Sequence, residues 1–368
     1  MKQLFFGLIT LTVICAACQT KTDDPTPVAP VPTPTPVAIS YLKDISPFSI
    51  GASIDPNLLK NNPTYRYTLT DEMSSITVEN AQKWGWIHPG INTFNFVDAD
   101  YIVNWAETNK KRVHGHTLLW HAYNPDWLNK FQGDSVAWEN LMKTHIQTVV
   151  GHYKGKVKSW DVVNEAFTDG GAYRQADPRA NEGSIWAQKL GTDYVARAFE
   201  YAHQADPDAL LFYNDYGQEG YPNKLKACVN LANDLKKRGV PIHGLGLQFH
   251  LGVSQSDVAI ANAIKQFAAT GLLVHISELD ILVSDWQKNS ALVYTESLQQ
   301  RQADKYKLIA QNYKQLVPKA QQHGITTWNL GDGDSWIPQQ GYTDWPLLFD
   351  KSYSRKKAYY SFSEGLKN

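Results

Sequence analysis

The feature that most constrains this chain is a strand-length apolar run followed by a helix-period segment, an alternation repeated eight times. The apolar runs fall at residues 48–54, 75–80, 112–118, 157–165, 210–215, 244–250, 272–280 and 325–330. Between them lie helical patterns such as DADYIVNWAETNK, SVAWENLMKTHIQTVVGHY, NKLKACVNLANDLKKRG and SDVAIANAIKQFAATG. Asp98, Ser135 and Ser256 stand where N-caps are expected, and Gly239 and Gly271 where helices should stop. Strand–helix alternation of this length predicts an α/β fold, a single (β/α)8 TIM barrel. A doubly wound open sheet shares the pattern, but no glycine-rich phosphate loop follows the first strand, which disfavours its nucleotide-binding forms.

Polar residues fall at the C-terminal ends of these runs: Glu79 and Asn80, His116, Asn164 and Glu165, Asn214 and Asp215, Gln248 and His250, Glu278 and Asp280, then Trp328. In a barrel of this kind that end carries the active site. The stretch VKSWDVVNEA (157–166) is the sharpest case, a buried strand ending on an amide and a carboxylate. Burying a lone charge costs roughly several kcal/mol unless it is paired. One such end is an ordinary solvated terminus; a set converging on one mouth is a site, in which Glu165 would not be alone.

Two carboxylates dominate that set, Glu165 after the fourth run and Glu278 after the seventh. A carboxyl pair flanking a bond is what glycoside hydrolysis requires, one protonated to feed the leaving oxygen and one ionised to attack the sugar or activate water. Glu278 has His250 and Asp280 available to hold it ionised. Glu165 lies beside neutral Asn164, where a raised pKa is easier to sustain.

At this point WDVVNEA and ISELD resemble the acid/base and nucleophile segments of glycoside hydrolase family 10, the endo-β-1,4-xylanases. GHTLLWH, LFYNDYG, GLGLQFHL, TWNLGDGDSW and PLLFDKSYSRKKAYYSF are similar to further blocks of that family, in the same order, over residues 45–366. The resemblance implies a retaining endo-1,4-β-xylanase acting on xylan and xylo-oligosaccharides, with Glu165 as general acid/base and Glu278 as nucleophile. It implies that Asn164 binds the sugar 2-hydroxyl in the −1 subsite, that His250 bridges Glu278 and Asp280, and that Gln248 and His116 line that subsite. Glu79, Asn80 and Lys83 would hold the next sugar. Trp120, Trp328 and Trp336 would wall the cleft, and Tyr216 would sit on the leaving-group side. Three positions depart from the pattern: His114 where Arg is usual, Asn329 where Gly is usual, and Asp334 where an aromatic is usual.

VHGH (113–116) invites a metal reading, since His-x-His at a barrel strand end opens the site of metal-dependent amide hydrolases. Here the motif lies in the third run, and His250 is the only imidazole on a later strand end, so no metal and no cofactor are expected. A silent glycan-binding lipoprotein would suit the aromatic walls but would not need both carboxylates. A mixed-specificity β-1,4-glucanase or cellulase on a related barrel would share them; the Glu79, Asn80, Lys83 set and the Trp336 segment tilt the choice toward xylose.

Thirty-five basic against 36 acidic residues, a net charge of −1, argue against a nucleic-acid partner. The N-terminal apolar run LFFGLITLTVICAA is fourteen residues long, short of a membrane span and suited to a signal peptide. CAAC at its end resembles a lipoprotein cleavage site, so residues 1–17 are expected to be a signal peptide and Cys18 the lipid attachment. Residues 18–38, rich in Pro and Thr, would be a stiff spacer, and residues 39–368 the catalytic domain. With Cys15 removed and Cys18 lipidated, Cys228 would be the only thiol of the domain. An exported, membrane-anchored monomer is the expectation.

Overall fold

The computed structural model describes residues 40–174 and 183–367; the expectations for the signal segment, Cys18 and the spacer lie outside the described residues. Among the described residues, nine strands form one sheet: β1 Ile50–Ile54, β2 Ser75–Val78, β3 Arg112–Gly115, β4 Val157–Asn164, β5 Leu210–Asp215, β6 Gly244–Leu247, β7 His250–Gly252, β8 Leu273–Leu282 and β9 Gln322–Thr327. Neighbours pair parallel from β1 to β6, β1 also pairs β9 and β9 pairs β8. Pairing of Gly244 to Leu247 with Leu273 to Ile276 closes the ring, an eight-stranded parallel barrel with β7 as an upper extension. Both faces of these strands are covered, which is why they read as unbroken apolar runs.

Helices α1 Pro63–Glu72, α2 Val97–Thr108, α3 Ser135–His152, α4 Tyr194–Ala205, α5 Pro222–Lys237, α6 Asp257–Ala268, α7 Glu296–Leu316 and α8 Lys357–Lys367 follow the barrel strands in turn, among shorter helices. Their buried faces are the predicted stripes: Ala99, Ile102, Val103 and Ala106 on α2, and Leu225, Cys228, Leu231, Ala232 and Leu235 on α5. Ser256 is an N-cap as expected, accepting from Ala259 N. The other two caps are displaced. Asp134, not Ser135, caps α3 by accepting from Ala137 N, and Asp98 lies inside the first turn of α2, whose N-cap is Phe96.

The run expected at 244–250 is two pieces. Phe249 adopts a left-handed conformation (φ 56°), ending β6 and letting β7 pair His250 with Asp280 on the upper half of β8. Register also shifts between β8 and β9 from Ile276 to Leu279, around Glu278. Such irregularities beside a site re-aim side chains that a regular strand would misplace. Gly246 serves the same end: a Cβ there would meet Asn214 Oδ1 at 2.0 Å, so glycine makes room for the Asn214 side chain.

Candidate active site

The strand ends open into a cleft of about 1080 Å³. Of the expected residues, Glu79, Asn80, Lys83, His116, Trp120, Asn164, Glu165, Tyr216, Gln248, His250, Glu278, Trp328 and Trp336 line it; Asp280 lies behind His250. Tyr123, Trp286, Glu219 and Gln255 line it too, and nothing in the sequence reading had singled them out. Tyr123 and Trp286 sit in loops at left-handed φ of 56° and 64°, outside any periodic run.

Glu165 leaves β4 in a left-handed conformation, φ 57°. For a residue with a Cβ this costs on the order of 1–3 kcal/mol and persists only where neighbours enforce it. Here Glu165 N donates to Asn214 O at 2.9 Å, Arg174 Nε donates to Glu165 O at 3.0 Å, and Ala166 N donates to the Tyr213 hydroxyl at 3.1 Å. Tyr213 in turn donates to Asp215, which pairs with buried Lys224 at 3.0 Å. The strain aims the carboxylate into the cleft, where Trp120 Nε1 donates at 2.8 Å, Gln248 Nε2 at 3.0 Å and Asn164 Nδ2 at 3.3 Å.

The expected raised pKa of Glu165 is not what these contacts produce. Burial pushes the carboxyl up, but His121, the Gln248 and Trp120 hydrogen bonds and the Arg174 charge outweigh it and hold the group below its ordinary value. Sequence adjacency to Asn164 could not reveal donors arriving from β3 and β6. His121 itself is pushed down to about 4, chiefly by burial.

Glu278 is held differently. Asn214 Nδ2 donates to its Oε1 at 2.7 Å, and His250 Nε2 lies 3.3 Å from its Oε2. His250 Nδ1 is 2.9 Å from Asp280 Oδ2, which also accepts from Trp336 Nε1 at 2.9 Å. Although burial works against a charged ring, Asp280 and Glu278 raise His250 to about 10, so it is an imidazolium at neutral pH. Asn214 is the hub of the mouth. Its Nδ2 also reaches Asn164 Oδ1 at 3.0 Å, and its Oδ1 accepts from Ser277 Oγ at 2.7 Å, so the two carboxylates hang on one amide network.

Glu79, Asn80 and Lys83 form a polar group on one wall of the cleft. Lys83 Nζ donates to Asn80 Oδ1 at 2.8 Å and lies 5.1 Å from the Trp120 ring and 5.7 Å from Trp328. Burial raises Glu79 and lowers Lys83, each opposed by the other's charge. Tyr216 borders the other side, its hydroxyl accepting from Arg174 at 3.0 Å and its ring 3.2 Å from Lys224 Nζ.

The three departures have structural partners. Asn329 takes φ 76°, a conformation glycine adopts freely and Asn tolerates, and its Oδ1 accepts from Trp336 N at 3.1 Å. Asp334 accepts from Leu330 N and Gly331 N, each at 3.1 Å, and so ties the same loop. His114 points into the barrel, below the mouth and away from it; His116, two residues on, contacts Asp161 Oδ2 at 2.9 Å.

The sequence pattern of glycosyl hydrolase family 10 matches residues 41–364. An endo-1,4-beta-xylanase of Geobacillus stearothermophilus is 36% identical over 324 residues, 85% of this chain and 94% of that protein. Endo-1,4-beta-xylanase C of Paenibacillus barcinonensis is 36% identical over 86% of this chain, which spans only 30% of that longer protein. Xylanase 10B of Thermotoga petrophila, solved in complex with xylobiose, superposes with a TM-score of 0.81 at 32% identity, covering 89% of this chain and 98% of its own.

Proposed function

This chain belongs to glycosyl hydrolase family 10, and from that membership we propose its reaction: retaining endo-hydrolysis of the β-1,4 bonds of xylan. The observation that carries the reading is the convergence of Glu165 and Glu278 on one amide network in one cleft. In this reading the ionised Glu278 attacks C1 of the −1 xylose while Glu165 protonates the departing glycosidic oxygen, giving a covalent glycosyl-enzyme and a shortened chain. Glu165 then takes a proton from water, which displaces Glu278 and restores the original anomeric configuration.

The protonation cycle follows from the surroundings. Polysaccharide covering the cleft strips residual water from Glu165, which favours its neutral, proton-loaded form. Esterification of Glu278 removes a neighbouring negative charge, which favours the anion and makes Glu165 the base of the second step. Asn164 offers its remaining amide hydrogen to the 2-hydroxyl, a contact worth more as the transition state develops.

Xylose preference is supported by the Trp336 wall. Its indole nitrogen is tied to Asp280 and its backbone to Asn329, so it cannot yield to a hydroxymethyl group on C5. Xylan, cellulose and mixed-linkage glucan assayed side by side test the reading. New reducing ends and internal cleavage products from xylan, with at least about tenfold lower efficiency on glucans, are expected; that factor corresponds to about 1.4 kcal/mol. Equal efficiency on cello- and xylo-oligosaccharides would sink the specificity.

We also propose export and lipid anchoring through Cys18, on the strength of the LFFGLITLTVICAAC segment. Cys18→Ala should leave the chain unprocessed or in the soluble fraction; a variant as firmly membrane-bound as the parent would refute it.

A further inference from the structure

The barrel floor holds a cluster that this chemistry does not use. His114 on β3, His275 on β8 and His323 on β9 converge with ring centroids 4.8, 5.8 and 4.9 Å apart. All three are buried, and one ligand nitrogen from each lies within 4.8 Å of the others. Ser159 Oγ sits between two of them, 2.7 Å from His114 Nδ1 and 3.3 Å from His323 Nε2. His275 Nε2 contacts Thr326 Oγ1 at 2.9 Å, while its Nδ1 is buried with no hydrogen-bond partner. An unsatisfied buried ring nitrogen calls for an explanation.

We propose that His114, His275 and His323 form a binding site for one divalent ion of the zinc class, with the Ser159 hydroxyl beside the fourth position. Imidazole nitrogens are ordinary ligands for such ions, at about 2.0–2.1 Å. A tetrahedral arrangement at that distance puts the nitrogens about 3.4 Å apart, so binding draws the cluster together by about an ångström. The supporting shell is in place. Thr326 engages the other nitrogen of His275, and Asp161 Oδ1 lies 3.0 Å from the other nitrogen of His114, close enough to become its hydrogen-bond partner with a small rotation, the hydroxyl and carboxylate partners that orient metal-binding imidazoles. Asp161 also supplies negative charge against Arg112, whose guanidinium donates to His323 O at 2.9 Å.

The site is tied to the mouth through one side chain: the second oxygen of Asp161 holds His116, which lines the cleft. The site lies below the proposed reaction and takes no part in its bond changes, so its test stands apart from activity.

The full chain, stripped with chelator and refolded with equimolar Co²⁺, is passed through a desalting column. Expected are one Co²⁺ per chain, visible absorption bands of a tetrahedral site, and a thermal midpoint that rises with added Zn²⁺. His275→Gln keeps an amide for Thr326 but lacks the unpartnered nitrogen, and it should bind Co²⁺ roughly 100-fold or more weakly while keeping xylanase activity. Refolded, active parent protein that retains no Co²⁺ and shows no Zn²⁺-dependent shift would overturn the proposal. So would a His275→Gln chain that binds as the parent does. If that variant fails to fold, the parent's titration decides alone.

Discussion

The two carboxylates of the mouth are secured by opposite means. On the β4 side, Glu165 stands on a strained left-handed residue, and its oxygens are met by the neutral donors of Trp120, Gln248 and Asn164. The imidazole beside it, His121, is uncharged above about pH 4, and Arg174 donates to the Glu165 carbonyl and to the Tyr216 hydroxyl. On the β8 side, Glu278 lies within a strand and faces His250, a ring kept charged up to about pH 10. Donors and nearby cations hold Glu165 below its ordinary value, whereas Glu278 faces one charged ring. In the proposed reaction the proton cycles on Glu165 because substrate binding and esterification change its surroundings, while Glu278 meets the sugar beside that ring.

The severest break is Glu278→Ala. With the proposed nucleophile gone, turnover should fall by about 10⁴-fold or more on xylan and on an activated aryl xylobioside alike. Comparable losses on both substrates, measured by initial rates, are the expected pattern. Glu165→Ala should be selective instead. Xylan hydrolysis should drop by roughly 10²–10⁴-fold, while the first step on the activated substrate, read as a burst of aryl leaving group, stays near parental. A burst as small as that of Glu278→Ala would erase the distinction.

Asp280→Asn tests the cation. It removes the main support of the His250 charge, so the His250 pKa falls from about 10 toward the ordinary range. Activity should fall roughly tenfold, with a new alkaline limb inside the working range. Stability should move in the same sense. His250 titrates higher folded than unfolded, so its stabilisation is complete below about pH 6.5 and is lost as pH rises through about 10. His121 titrates lower folded than unfolded, so its contribution is complete above about pH 6.5 and fades as pH falls through about 4. Melting temperatures across pH should therefore show the β8 side failing in alkali, earlier in Asp280→Asn, and the β4 side failing in acid.

The mildest change is Tyr213→Phe, which removes the acceptor of Ala166 N behind the strained turn and a donor to Asp215. One such hydrogen bond is worth about 1 kcal/mol. The expected loss is a few-fold in kcat on xylan and none in the burst on the activated substrate. Equal loss on both would make Tyr213 a general packing residue.

Much of this site was legible in the chain because barrel chemistry collects at strand ends, and strand ends are local in sequence. Glu165, Glu278, Gln248 and His250 stood out as polar breaks in apolar runs. What decides their behaviour was not local. In the sequence Asn214 is only one polar strand end among several; it becomes the hub because Gly246, on the neighbouring strand, leaves it room. The Glu165 pKa is set by Trp120, His121 and Gln248, which lie far from it along the chain. The break at Phe249 left no trace in periodicity, because residues on both sides stay apolar or site-facing. The histidine floor leaves no local signal: along the chain His114 neighbours His116, whereas the barrel closes it onto His275 and His323.

The anomeric configuration of azide products tests the division of labour most directly. With Glu165→Ala, azide should attack the accumulated glycosyl-enzyme and give the β-xylobiosyl azide, since that anion needs no base. With Glu278→Ala, azide should occupy the vacated space, attack the substrate itself and give the α anomer. Products of these configurations, read from the anomeric proton couplings, are the predicted result; the reversed pair would exchange the roles of Glu165 and Glu278.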